Sequence, residues 1–171
     1  MKEIKNTLNL WEILQFKSQR KNIVILMYIW FAAGFCFYGL ILNLEHLGGD
    51  VIMDSIVTFI GEVIAELASG YCAEEYGRVI VLKVCGLIGG FGFISYELIE
   101  SRIIKSLLVF VTSFGFSGTL NVLFIYSPEV FPTSVRSTVM GFLFLMSRFG
   151  AVVVPPLSSI VPHFAYLFAF L

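Results

Sequence analysis

The sequence predicts an all-α transmembrane protein, and three features lead to this prediction. Hydrophobic residues make up 58% of the chain, while charged residues make up only 13%. The mean hydropathy is +0.91, so the chain has too little polar surface to cover a water-soluble globule. Long uncharged stretches recur along the sequence, and a helix needs about 20 apolar residues to cross the hydrocarbon core of a bilayer.

The first two expected spans differ in their charge. Residues 22–44 contain no charged side chain, which makes this stretch a clear transmembrane helix. The second span, residues 51–72, carries Asp54 near its start and Glu62 and Glu66 inside it. Because a carboxylate within the hydrocarbon is costly, acids in a span indicate a functional role.

Three more full spans and one partial span follow. Residues 79–99 form the third, and residues 105–127 form the fourth, which is uncharged after its first residue. The fifth, residues 137–160, contains a single charge, Arg148. A sixth begins after Pro162 and is expected to be truncated, because only residues 163–171 belong to it.

Basic residues predict the orientation of these spans, since Lys and Arg favour cytoplasmic loops. Two basic residues, Arg102 and Lys105, fall on one side of the membrane. Seven fall on the other: Lys2, Lys5, Lys17, Arg20, Lys21, Arg78 and Arg136. We therefore expect residues 1–21 to be cytoplasmic and residues 22–171 to form the transmembrane domain. The stretch 8–16, LNLWEILQF, has apolar residues at helical spacing, so residues 1–21 are expected to be an amphipathic segment.

Charge and cysteine content exclude several classes of function. The net charge is -1, from 11 basic and 12 acidic residues, so the chain lacks the basic field that nucleic acid requires. Its cysteines, Cys36, Cys72 and Cys85, are dispersed among apolar residues without the C-x-x-C spacing of zinc sites. We expect free thiols, no metal and no cofactor.

An enzyme is not expected either. Residues 115–118 spell GFSG, which matches the G-x-S-G of rhomboid intramembrane proteases, and His163 follows later. Ser117 lies about 15 Å from the cytoplasmic end of its span, whereas His163 is placed near the outer surface. A serine nucleophile needs its base within hydrogen-bond reach, so this pair does not form a catalytic site.

Two loops on the expected cytoplasmic side carry paired charges. The stretch 70–78 reads GYCAEEYGR, a G-x-x-x-acid-x-x-G-R pattern, and the stretch 126–141 reads YSPEVFPTSVRSTVMG. Any short cytoplasmic loop tends to contain arginine, but the two loops together predict a network at adjacent helix ends. Its members are Glu74, Gly77, Arg78, Glu129 and Arg136.

These loops, with three further stretches, resemble the carboxy-terminal half of a major facilitator superfamily transporter of the organic cation and anion branch. The further stretches are ILMYIWF (25–31), FYGLILNLEHLGGD (37–50) and SRFGAVVVPPL (147–157). The resemblance implies that the first span here is the seventh of twelve. It also implies that an amino-terminal half is missing.

The resemblance implies three substrate-binding residues, Tyr38, Glu62 and Arg148. Counting along the helices places Glu62 about 15 Å and Arg148 about 16 Å from the cytoplasmic side, so both belong near the midplane. In the family, the position of Glu62 is acidic in cation carriers. The position of Arg148 tends to be acidic in cation carriers and arginine in anion carriers and several other groups, which favours an anionic substrate or a mixed charge selectivity. Glu66 has no counterpart in the family and is expected to be structural.

The expected function is transmembrane transport of small organic ions by alternating access, as part of a larger or dimeric transporter. The expected partners are the organic ion, the lipid bilayer and either the missing half or a second copy. The resemblance favours the plasma membrane. A half of a sugar porter and a non-transporting membrane subunit or remnant remain as alternatives.

Overall fold

Five helices make up the part of the chain that the structure describes. This computed structural model describes residues 17–43, 51–99 and 101–160. The helices are α1 (Lys17–Asn43), α2 (Val51–Glu75), α3 (Arg78–Leu98), α4 (Arg102–Val130) and α5 (Arg136–Ile160). No strand occurs in these ranges. Each helix is long and apolar enough to cross a membrane, which confirms the all-α transmembrane prediction.

Three expected segments lie outside the described residues. They are the amphipathic stretch 8–16, the outer connection 45–50 and the partial sixth helix 163–171.

Contacts between helices show that α2 and α4 run in the same direction. Near their starts, the Ser106 hydroxyl donates to the Asp54 carboxylate at 3.1 Å. Further along, the Asn121 side-chain amide donates to the Ser69 hydroxyl at 2.9 Å. A separation of 52 residues is therefore kept over about four turns. Helix α3 packs against α4 in the opposite direction.

Helices α1 and α5 also run parallel, because their first halves share one buried cluster and their second halves share another. Their backbones approach closely at two glycines. A Cβ atom at Gly34 would clash with the Ser147 carbonyl oxygen, and one at Gly150 would clash with the Phe31 carbonyl oxygen. Small residues permit such approach between membrane helices, where dispersion contacts replace the hydrophobic effect. This packing fixes the relative position of the two helices that carry Tyr38 and Arg148.

Glycines also mediate the contact of α3 with α4. Gly86 and Gly90 form a G-x-x-x-G pattern in the sequence, a spacing typical of close helix packing, but neither lies at the close approach. A Cβ atom at Gly90 would meet nothing within 4 Å, and one at Gly86 would come only within 3.9 Å of Thr119. A Cβ atom at Gly89 would lie 2.6 Å from the Phe116 ring. The close approach therefore uses the neighbouring face of α3.

Candidate functional site

A cavity of about 470 Å³ opens where α1, α4 and α5 meet. One part of its lining is polar and another is aromatic. The lining side chains are Trp30, Phe37, Tyr38, Leu120, Phe124, Phe144, Ser147 and Arg148. Two of the three sequence-predicted binding residues, Tyr38 and Arg148, thus line one cavity, although they are 110 residues apart in the chain.

Tyr38 and Arg148 are in direct contact in this cavity. Arg148 Nη1 donates a hydrogen bond to the Tyr38 hydroxyl, and the guanidinium carbon lies 5.8 Å from the centroid of the tyrosine ring. The Arg148 side chain is exposed, and no carboxylate among the described residues lies within ion-pair distance of it. A neutral tyrosine leaves the positive charge uncompensated, so the site can attract an anion.

The same cavity has an aromatic wall formed by Trp30, Phe124 and Phe144. The Trp30 ring meets Phe124 edge to face at a centroid distance of 4.9 Å and Phe144 in the same way at 5.1 Å. The two phenylalanine rings lie 5.2 Å apart. These separations are those preferred by aromatic pairs, so the wall is a packed apolar surface.

A bidentate ion pair joins α3 to the end of α4, outside the cavity. Arg78 Nε donates to one Glu129 carboxylate oxygen at 3.1 Å, and Nη2 donates to the other at 2.9 Å. Two parallel charge-assisted bonds fix the relative orientation of the two groups more strongly than one bond does. The pair links the two loops whose charges define the predicted network.

The other members of the network have different surroundings. Gly77 has a φ of +92°, the only positive value among the described residues, and this conformation lets the chain turn between α2 and α3. Arg136 donates to the Phe131 carbonyl oxygen at 3.5 Å, while its buried Nε has no hydrogen-bond partner in the described part of the chain. Glu74 is exposed. Their joint role stays a prediction.

No family model matches the chain, but curated proteins do. Solute carrier family 22 member 6 of Bos taurus is 24% identical over 163 residues, which covers 91% of this chain. Solute carrier family 22 member 12 of Homo sapiens is 27% identical over 161 residues and covers 93%. An organic cation transporter-like protein of Drosophila melanogaster is 23% identical over 150 residues and covers 86%.

The homologues of this chain are organic anion and cation transporters of the major facilitator superfamily. This confirms the resemblance found in the sequence. The chain spans about 30% of the length of these transporters, with 30% of the bovine relative and 29% of the human one matched. The homologues are transporters rather than enzymes, and in this chain Ser117 is buried while His163 lies outside the described residues.

Glu62, the third binding residue that the resemblance to these transporters implies, does not line the cavity of Tyr38 and Arg148. It lies on α2, which packs mainly against α4. Its side chain is half-buried, and Glu66 one turn away adds a like charge. A role of Glu62 in binding therefore stays a prediction.

Sequence reasoning missed Ser127, which contacts Trp30 of the cavity lining. The Trp30 indole N–H donates to the Ser127 hydroxyl at 2.9 Å, and both side chains are buried. Ser127 lies in the YSPE stretch, which the sequence connected with the charged loops rather than with the cavity. Only one feature of the sequence indicated this contact. Ser127 lies one helical turn after Leu123 and Phe124 and therefore on the same face of α4.

The three cysteines of the chain do not pair with one another. Cys36, Cys72 and Cys85 are free thiols. Among the described residues, no three His, Cys, Asp or Glu side chains are grouped so that they could hold a metal ion.

Proposed function

We propose that this chain forms one side of a membrane transporter for small organic anions. The observation that carries the proposal is the exposed Arg148 of the cavity, which donates a hydrogen bond to the Tyr38 hydroxyl and has no described carboxylate within ion-pair distance. A sugar-binding site needs neutral hydrogen-bonding groups, and an organic cation needs an acid in this place. The homology to organic anion and cation transporters supports the same class of substrate.

The cavity has two chemically different regions that suit an organic anion. A carboxylate can accept hydrogen bonds from the Arg148 guanidinium, in place of or beside the Tyr38 hydroxyl. The apolar part of the same molecule can pack against Phe124 and Phe144, the exposed rings of the aromatic wall, which the buried Trp30 supports from behind. A bound ion with one charge and one ring would therefore fit the cavity better than a compact inorganic ion.

The transport cycle is proposed to need a second half. The cavity is open on one side, and alternating access requires two bundles that rock around a midplane site. Glu62 is proposed to face the space between the halves, where it would attract a cation or carry a proton. The Arg78–Glu129 pair is proposed to hold the cytoplasmic ends of α3 and α4 together in one state of the cycle.

Equilibrium binding to the purified chain in nanodiscs tests the anion preference. We expect radiolabelled benzoate to bind and benzylammonium, which has the same ring and the opposite charge, to bind at least about tenfold more weakly. Arg148→Gln should weaken benzoate binding by about tenfold or more, because a charge-assisted hydrogen bond is lost.

Lys83→Gln is the matched control, since it removes an exposed positive charge from α3, outside the cavity. It should leave benzoate binding unchanged. Tighter binding of benzylammonium than of benzoate would contradict the proposal, and so would equal losses in the Arg148 and Lys83 variants.

A further inference from the structure

The Trp30 indole is held by one polar contact. Its side chain is 1% exposed, and Ser127, which accepts its N–H at 2.9 Å, is 0% exposed. Without this serine no water could reach the buried indole N–H, and an unpaired buried donor lowers the stability of the fold. The Ser127 hydroxyl therefore favours this orientation of the indole over orientations in which the N–H has no hydrogen-bond acceptor.

The orientation of the indole determines the shape of the aromatic wall. Trp30 contacts both phenylalanines edge to face, at interplanar angles of 80° with Phe124 and 74° with Phe144. If the indole rotated about its side-chain bonds, both edge contacts would be lost. Phe124 and Phe144, which are 49% and 38% exposed, would then lose the ring that holds them in place. Ser127 does not line the cavity, so it can influence a ligand only through Trp30.

We propose that Ser127 is a positioning residue, which makes the cavity selective for anions with an aromatic ring by fixing the Trp30 indole. The inference rests on the proposed function, since it assigns a selectivity to the same cavity. A carboxylate without a ring uses Arg148 and Tyr38 and gains little from the aromatic wall. An aromatic carboxylate uses both regions and therefore depends on the preformed position of the indole.

The first test observes the indole directly and needs no ligand. The chain has two tryptophans, so Trp11→Phe leaves Trp30 as the single indole N–H signal in a nitrogen-15 spectrum. Ser127→Ala should shift and broaden that signal, and Ser127→Thr, which keeps a hydroxyl, should restore it. Ser113→Ala is the control, because this buried hydroxyl of the same helix bonds only the Phe110 carbonyl oxygen. An unchanged signal in Ser127→Ala would overturn the proposal.

The second test compares benzoate with hexanoate, an anion of the same charge without a ring. Ser127→Ala should weaken benzoate binding by about tenfold and leave hexanoate binding within about twofold. Ser127→Thr should recover most of the benzoate affinity. In a Trp30→Phe background, which has no indole N–H to hold, Ser127→Ala should have no further effect on benzoate.

Two outcomes separate this inference from the proposed function. If the unchanged chain binds neither anion, the proposed function is wrong, and the nitrogen-15 signal alone decides whether Ser127 holds the indole. If both anions bind and Ser127→Ala weakens them equally or not at all, the proposed function stands and the selectivity role of Ser127 is wrong. If Ser127→Ala alone fails to fold, two other comparisons decide the role of Ser127. They are the indole signal and benzoate affinity of Ser127→Thr, and the effect of Ser127→Ala in the Trp30→Phe background.

Discussion

At the scale of residues, the anion preference proposed for the cavity depends on which groups form hydrogen bonds with the Arg148 guanidinium. Arg148 lies within a transmembrane helix, where an uncompensated charge is expensive unless water, a polar group or a ligand meets it. Tyr38 meets part of this need, since its hydroxyl accepts one hydrogen bond and its ring lies 5.8 Å from the guanidinium carbon. The remaining N–H groups are available to a carboxylate, and Tyr38 fixes where they point.

Removal of the Tyr38 hydroxyl tests this positioning role. Tyr38→Phe should weaken benzoate binding by about threefold to tenfold, because Arg148 keeps its charge but loses the group that orients it. Tyr71→Phe is the control, since Tyr71 is 69% exposed on α2 and lies outside the cavity. Binding to purified protein in nanodiscs gives the result, and an affinity for benzoate unchanged by Tyr38→Phe would show that the hydroxyl does not position Arg148.

At the scale of elements, close backbone packing decides which helices move together. Helices α1 and α5 touch at Gly34 and Gly150, where a side chain larger than hydrogen has no room. These two helices carry both Tyr38 and Arg148. Their tight contact therefore keeps the polar part of the cavity intact even if other helices shift during a transport cycle.

Substitution of the contact glycine should separate this pair of helices. Gly150→Leu should destabilise the chain by about 1–3 kcal/mol, since the new side chain overlaps the backbone of α1. Gly90→Leu places the same side chain where a Cβ atom meets nothing within 4 Å, and it should leave thermal stability in detergent close to that of the unchanged chain. Equal loss of stability in both variants would contradict the assigned contact.

Charge reversal tests the second link between elements, the Arg78–Glu129 pair. Arg78→Glu or Glu129→Arg alone should lower thermal stability in detergent, because each places two like charges at the ends of α3 and α4. The double variant restores opposite charges and should recover much of the loss. If the double variant loses as much thermal stability as the two single variants together, or more, the pair does not stabilise these helix ends.

The sequence predicts elements better than it predicts contacts between them. The spans follow from uncharged stretches of sufficient length, and counting residues along the second and fifth spans predicts that Glu62 and Arg148 lie near the midplane of the membrane. The contact of Trp30 with Ser127 joins residues 97 positions apart, and no local pattern records such a separation. The glycine motif of α3 shows the same limit, since its spacing predicts close packing but does not determine which face of the helix packs.

At the scale of the whole molecule, the direction of the helices is set by their contacts, while the orientation in the membrane is predicted from charge. The start of α1 packs against the end of α4, and the end of α1 packs against the middle of α4, so these two helices run in opposite directions. Helix α5 runs in the direction of α1 and helix α2 in the direction of α4, so the α2–α3 and α4–α5 connections lie at the same end. Five of the seven basic residues expected in the cytoplasm precede the first span or lie at its start. The positive-inside rule therefore predicts that this end faces the cytoplasm.

Labelling of single cysteines measures this orientation. With Cys36, Cys72 and Cys85 replaced by alanine, Glu45→Cys should react with a membrane-impermeant maleimide on intact cells. Thr133→Cys, which is exposed in the connection before α5, should react only after permeabilisation. The reverse pattern would place the amino terminus outside.

The final prediction is that this chain does not move substrate as a monomer. The Arg148 side chain is exposed, and one bundle of helices supplies only one side of a site that has to alternate between two aqueous faces. The chain covers about 30% of the length of its transporter homologues, which leaves room for another half. Liposomes containing the purified chain should bind benzoate but show no saturable uptake, whereas a covalent dimer or an added amino-terminal half should permit uptake that Arg148→Gln reduces. Saturable uptake by a demonstrated monomer would mean that one bundle of helices suffices for alternating access, contrary to the mechanism proposed for this chain.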